Sequence, residues 1–134
     1  MTPADIQARA HAGVPLAAAM GIEVLEAASG RALLRLPPSP LVMRPGGTLS
    51  GPAIMGLCDV AIWAAFLSLT GGADDARTQN LAVTFLRPTG TAALLAEARV
   101  VRQGRRVVYA EVWLTPEGAE APSGHCTSTW MVVA

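Results

Sequence analysis

Lysine is missing from this chain; all ten of its basic residues are arginines. Alanine, glycine and proline are abundant, so the absence reads as compositional bias and not as chemistry. Charge of either sign is scarce. Only 15% of the 134 residues are Asp, Glu, Lys or Arg, where about 25% is usual for a soluble domain. Ten basic and ten acidic residues cancel, which leaves no electrostatic footprint for nucleic acid or an anionic membrane. There are two cysteines, Cys58 and Cys126, and they lack the spacing of a metal or redox centre. They read as small buried hydrophobes in a reducing cytoplasm. The opening TPADIQARAHAG has no apolar signal core.

Apolar residues, by contrast, make up 51% of the chain. That is enough for the core of one ordinary domain, here expected to span residues 1–134. With so little charge, part of the apolar surface is expected to be buried between subunits. The longest apolar stretch, Pro52 to Leu69, contains one ionisable carboxylate, Asp59. The stretch is near the lower limit for a membrane span, but it opens on Gly-Pro and carries an acid. It therefore reads as the buried helix of a soluble protein. A carboxylate in such a setting costs several kcal/mol unless it is paired, hydrogen-bonded or protonated. Asp59 should either have a partner or do chemistry.

The remaining elements follow from periodicity and punctuation. Thr2 is an N-cap, with Pro3 at the first helical position and Asp5 in the first turn, so a short helix runs to about Ala12. Val14 to Met20 adds a further helical turn that stops at Gly21. Ile22 to Glu26 and Arg31 to Leu36 form a hairpin through Ser29-Gly30. A loop runs from the prolines at 37, 38 and 40 to Ser50. The long helix occupies about Gly51 to Leu69 and ends at Thr70-Gly71-Gly72 in a glycine cap. Four strands of period two follow: Thr78 to Leu86, Leu94 to Arg102, Val107 to Leu114 and Gly124 to Val133. Antiparallel strands around one long helix predict an α+β fold. A helix this apolar on every side must be covered all round, and a single sheet curled about it would do so. The sheet edges are then natural dimer surfaces.

Three segments, in this order, resemble the hotdog-fold acyl-CoA thioesterases of the PaaI-like, phenylacetate-pathway group. Arg44-Pro45-Gly46-Gly47-Thr48-Leu49-Ser50-Gly51-Pro52, followed by Asp59, is similar to that family's Asn-Pro-x-Gly-x-x-His-Gly-Gly loop and its catalytic acid. Leu81 to Pro88 is similar to its strand ending in Arg-Pro. Ala96 to Arg106 is similar to the strand and turn that lead into its CoA-binding bend. The resemblance covers about Gly21 to the C-terminus. Ser50 stands at the His position, Arg44 at that of Asn, and Pro52 replaces the second Gly. Ser can donate one hydrogen bond but carries no positive charge.

The resemblance implies a hotdog fold, a long central helix wrapped by a curved antiparallel sheet with a short N-terminal helix. It also implies hydrolysis of acyl-CoA thioesters at a site shared across a dimer interface, in a dimer or a dimer of dimers. Asp59 would be the nucleophile or general base, Gly51 the oxyanion donor and Ser50 a supporting hydrogen-bond donor. At the helix start, the backbone N–H groups of Gly51 and its neighbours are expected to be unpaired, with the helix dipole behind them. Asp59 lies eight residues beyond Gly51, about 12 Å along a helix. The two are therefore expected to meet across subunits and not within one.

Thr78 and Asn80 would position the acid or the water, and Phe85 would line the acyl or pantetheine path. Gln103, Gly104, Arg105 and Arg106 form a turn whose guanidinium groups suit CoA phosphates; Arg87 is a second candidate for that task. Trp63, at i+4 from Asp59, would wall the acyl pocket and favour short or aromatic acyl groups. His125 and the trio Trp63, Phe66 and Trp113 otherwise read as packing. Coenzyme A is expected only as part of the substrate, with no metal or other cofactor. Two rival readings are a non-catalytic acyl-CoA or aromatic-ligand binding protein and an enoyl-thioester hydratase. The absence of His from the loop disfavours the second.

Overall fold

The computed structural model describes residues 1–133. Thr2 caps helix α1 (Pro3–Gly13) through a reciprocal box: its hydroxyl accepts from Asp5 N, and its own N–H donates to the Asp5 carboxylate. Pro15 has no N–H and forces Val14 into extended backbone. The N-terminal segment is therefore two short helices, α1 and α2 (Pro15–Met20), where one was expected.

Strands β1 (Glu23–Ala28) and β2 (Arg31–Leu36) join through Ser29 and Gly30, both at positive φ, as a tight hairpin turn requires. Strand β1 has a bulge between Val24 and Glu26 and runs two residues past the predicted end, where Ala27 and Ala28 pair with Ala32 and Arg31. The loop after the prolines contains a 3-10 turn (Pro40–Val42) and a two-residue hairpin, β3 (Met43–Arg44) with β4 (Thr48–Leu49), too short to leave a period in the sequence. Helix α3 (Gly51–Thr70) closes on Gly71 in the left-handed region, whose N–H reaches Leu67 O. Strands β5 (Ala76–Phe85), β6 (Leu94–Gln103), β7 (Val107–Pro116) and β8 (Gly124–Val132) complete the chain.

The six long strands form one antiparallel sheet in the order β1-β2-β6-β7-β8-β5. Helix α3 lies in its hollow. Leu34, Leu36, Leu94, Val108, Val112 and Leu114 meet Ile54, Leu57, Ile62 and Phe66 in a continuous core. Small residues on both sides, Ala61 and Ala65 on the helix and Ala96, Ala98 and Ala110 on the sheet, are fully buried. They let the helix axis approach the curved sheet closely. Cys58 and Cys126 are buried as free thiols. Contact with Cys126, and then burial, pushes the Cys58 thiol up from its ordinary pKa, as befits an inert packing residue.

One expectation is corrected. The sheet of a single chain does not cover α3 all round. Met55 is 39% exposed, and Asp59, Val60 and Trp63 are only half-buried. Beside them β5 sits at the end of the sheet, with Phe85 53% and Leu86 49% exposed. The helix is long and apolar enough to cross a membrane, but its buried residues are spent on the core.

Candidate active site

Asp59 has a partner within its own chain. A bulge between Thr78 and Asn80 sets Thr78 opposite Trp130, on the α3 side of the sheet. From there the Thr78 hydroxyl donates to Asp59 Oδ1 at 2.6 Å. The same bulge leaves Asn80 opposite Thr129. Alternation from the buried Trp130 puts Asn80 on the far face of the sheet, away from Asp59. The strand start thus contributes one of its two expected polar groups. Asp59 also borders a pocket of about 110 Å³ between α2 and α3, with Val14, Leu16, Met20, Gly56 and Val60 among its walls. Trp63 does not line this pocket; it packs against the core cluster.

The helix start is a second centre. Ser50 is the N-cap of α3: its hydroxyl oxygen accepts from Ala53 N at 3.3 Å, and its carbonyl accepts from Ile54 N. Pro52 has no N–H. Among the described residues, Gly51 is therefore the one residue of the first turn whose N–H has no partner. The expected cluster of free donors reduces to one N–H at the positive end of the helix dipole.

Gly51 opens onto a cleft of about 540 Å³ shared with Arg44, Ile54, Phe85, Leu86 and Arg87. A Cβ on Gly51 would meet Phe85 Cζ at 3.8 Å, an ordinary contact distance, so a larger side chain there would extend into the cleft beside the N–H. The hydroxyls of Thr48 and Thr89 bond to each other at 2.9 Å in the same wall. Two guanidinium groups and no carboxylate line this cleft. Sequence reasoning assigned no role to Arg44; its loop position beside Gly51 was the available signal.

The turn after β6 is the third centre. Gly104 N donates to Val107 O at 2.8 Å, and a Cβ on Gly104 would stand 2.8 Å from that same oxygen, so only glycine fits. Gln103, Arg105 and Arg106 are exposed around it. Arg105 and Arg106 border a groove of about 460 Å³ with Met131 and Val132 and have no carboxylate partner among the described residues. The strand register puts this turn at the Thr78 end of the sheet and the Gly51 cleft at the Phe85 end.

His125 serves structure. Its Nε2 lies 3.4 Å from Glu111 Oε1, its ring packs on Trp113 at 4.1 Å, and Arg99 bonds the other Glu111 oxygen at 3.3 Å. Burial works to raise the Glu111 pKa, but the bonds from Arg99 and His125 prevail and hold it below the usual carboxylate range.

Known proteins share this fold. A family model described as the Thioesterase superfamily matches residues 46–121. An inferred esterase from Saccharolobus solfataricus is 30% identical over 93 residues, 69% of this chain and 66% of the relative. One from Thermoplasma acidophilum is 30% identical over 90 residues, 67% of each chain. The chain thus spans about two thirds of the length of these relatives. Among solved structures, an inferred thioesterase from a Silicibacter species superposes with a TM-score of 0.88 at 28% identity, over 100% of this chain and 93% of the other. A variant of the phenylacetic acid degradation protein PaaI from Thermus thermophilus gives 0.78 at 26% identity, over 89% and 99%. PaaI of the E. coli phenylacetic acid degradation operon, at 20% identity and a TM-score of 0.83 over 100% and 97%, shares the fold. The chain belongs to the thioesterase superfamily, as a hotdog-fold, PaaI-like member.

Proposed function

We propose that the protein hydrolyses acyl-CoA thioesters at a site built by two copies of the chain. Asp59 comes from one copy and the Gly51 N–H from the other. The observation that carries this reading is the separation of the two groups. They lie eight residues apart on one helix, about 12 Å along its axis, and border different cavities. One carbonyl cannot touch both groups of one chain. The uncovered strip of α3 and the exposed Phe85–Leu86 end of β5 supply an apolar surface for a second copy, in a dimer or a dimer of dimers.

In this arrangement the thioester oxygen accepts from Gly51 N–H of one copy, aligned with the α3 dipole. A well-placed donor of this kind lowers the barrier by about 3–4 kcal/mol. Asp59 of the other copy takes a proton from water as the water oxygen bonds to the carbonyl carbon. Collapse of the tetrahedral adduct breaks the C–S bond, and the thiolate takes up the proton. In the nucleophilic alternative the Asp59 carboxylate bonds to the carbonyl carbon, the C–S bond breaks to release the thiolate, and water hydrolyses the resulting acyl-Asp59 anhydride, returning the carboxylate and giving a proton to the thiolate. Thr78 holds the Asp59 oxygen it bonds and leaves the other free to react.

The CoA phosphates are assigned to Arg105 and Arg106, with Arg87 nearer the carbonyl, and the cytoplasm supplies the substrate. Carboxylate, water and one N–H suffice for the step, so the reading calls for no metal or cofactor beyond the CoA of the substrate. A binding-only role has one observation in its favour: among the described residues Gly51 is the one first-turn residue with an unpaired backbone N–H, so the helix start offers an oxyanion a single backbone donor. Thiol release from acyl-CoAs by wild type and Asp59→Asn decides between them. Hydrolysis by wild type with a loss of at least about a hundredfold in the variant is expected. Equal rates would remove Asp59 from the mechanism, and CoA binding without turnover in either protein would favour the binding role.

A further inference from the structure

The pocket beside Asp59 is apolar apart from that carboxylate, which is its only ionisable lining group. Two of its wall residues, Val14 and Leu16, are 45% and 58% exposed, so apolar side chains stand at its rim in water. At its floor Met20, 4% exposed, faces Gly56. A Cβ on Gly56 would lie 3.6 Å from Met20 Cε and 3.7 Å from Sδ.

Gly56 lies inside α3 and is not among the glycines at positive φ, so the backbone does not require it there. Glycine is a poor helix residue, and what it contributes at this position is space. Gly56 precedes Asp59 by three residues, on the same face of the helix. The space it leaves is therefore next to the carboxylate.

We infer that the α2–α3 pocket receives the acyl group, that it takes short aliphatic acyl groups in preference to aryl ones, and that Met20 against Gly56 sets this limit. The inference rests on the reading of Asp59 as the group that meets the thioester. With the carbonyl carbon at Asp59, the acyl chain has the adjoining apolar pocket to enter, while the sulfur side faces the Gly51 cleft of the other copy. The volume decides between acyl classes. An enclosed apolar cavity of about 150 Å³ holds a benzene ring; this pocket, open at its Val14–Leu16 rim, measures about 110 Å³, so a few methylene groups fill it within its walls and a ring would stand partly outside them.

The test uses S-alkyl-CoA thioethers, which cannot be hydrolysed, from methyl to octyl together with benzyl. Their affinities are measured by calorimetry for wild type, Met20→Ala and Gly56→Ala. Wild type is expected to bind best at propyl or butyl and about tenfold more weakly at benzyl, since one methylene in a tight pocket changes binding tenfold or more. Gly56→Ala is a helix-favouring change whose methyl meets Met20 at ordinary contact distance; it should weaken butyl about fivefold and leave methyl unchanged. Met20→Ala deletes Cγ, Sδ and Cε and should bring benzyl level with butyl; circular dichroism checks its folding, and Gly56→Ala carries the test if it fails.

A flat chain-length profile in wild type, equal binding of benzyl and butyl, or a profile that neither variant moves overturns the inference. A wild type that shows the expected profile yet releases no thiol from butanoyl-CoA keeps the subsite and overturns the hydrolytic reading instead.

Discussion

Thr78 on β5 and Asp59 on α3 are joined by a 2.6 Å hydrogen bond, and the β5 bulge just past Thr78 gives that strand its register there. The bond holds one carboxylate oxygen at the uncovered side of the helix. Thr78→Val keeps the shape and removes the donor. In the proposed mechanism it should lower kcat about tenfold, with little change in KM, because positioning acts on the reacting step. Steady-state kinetics beside Thr78→Ser, which keeps the hydroxyl and should retain most of the rate, checks this.

Mixing two inactive variants tests whether the site is shared. Asp59→Asn and Gly51→Val should each lose most activity, since valine at 51 fills the space beside Phe85 Cζ. Unfolded and refolded together in equal amounts, half of the dimers contain one chain of each kind. Each such dimer has one site with both native residues, so about a quarter of wild-type activity should return. No recovery in a mixture shown by mass spectrometry to contain heterodimers would place Asp59 and Gly51 in one chain's site or in none.

Ser50 is expected to matter first for the helix. Ser50→Ala removes the bond to Ala53 N and should cost about 1 kcal/mol of stability, a fall of roughly 3–6 °C in Tm for a chain of this size. Thermal unfolding followed by circular dichroism measures it. If the hydroxyl also steadies the carbonyl, kcat falls as well at temperatures where the variant is fully folded; an unchanged kcat would confine Ser50 to capping.

The outer face of the sheet should be sensitive to acid. Glu111 has its pKa lowered in the folded state by Arg99 and His125, against the effect of burial. A depressed folded pKa means that the ionised form favours the fold. Its stabilisation is present above the ordinary carboxylate pKa and disappears as pH falls through the lower folded value. Glu111→Gln should therefore be less stable than wild type at neutral pH and converge with it in acid. Urea unfolding at a series of pH values tests this, and parallel curves would exclude the linkage.

Much of the fold could be read from residue order, because its signals are local. Period two marks β6, β7 and β8, and Pro52 and Gly71 bracket α3 by backbone chemistry that acts within a few residues. The two short helices merged in the sequence because Pro15 serves equally as the end of one and the first position of the next. Strands β3 and β4 had no period to detect, since pairing alone defines two residues.

The site divided in the same way. A lone acid in an apolar run, a glycine at a helix start and the eight-residue spacing between them are properties of the chain; the spacing separates the two groups along one helix, and the proposal of a shared site came from the family resemblance. Tertiary structure decided what the chain could not express. The β5 bulge turned Thr78 towards Asp59 and Asn80 away from it. Packing of α2 on α3 gave Asp59 its pocket walls and left Trp63 outside them, although Trp63 is only four residues away. The capping bond of Ser50 left Gly51 as the free donor. Each of these depends on a register, on a contact between segments distant in sequence, or on the rotamer that brings the Ser50 oxygen to Ala53 N, and side-chain identity alone does not determine that.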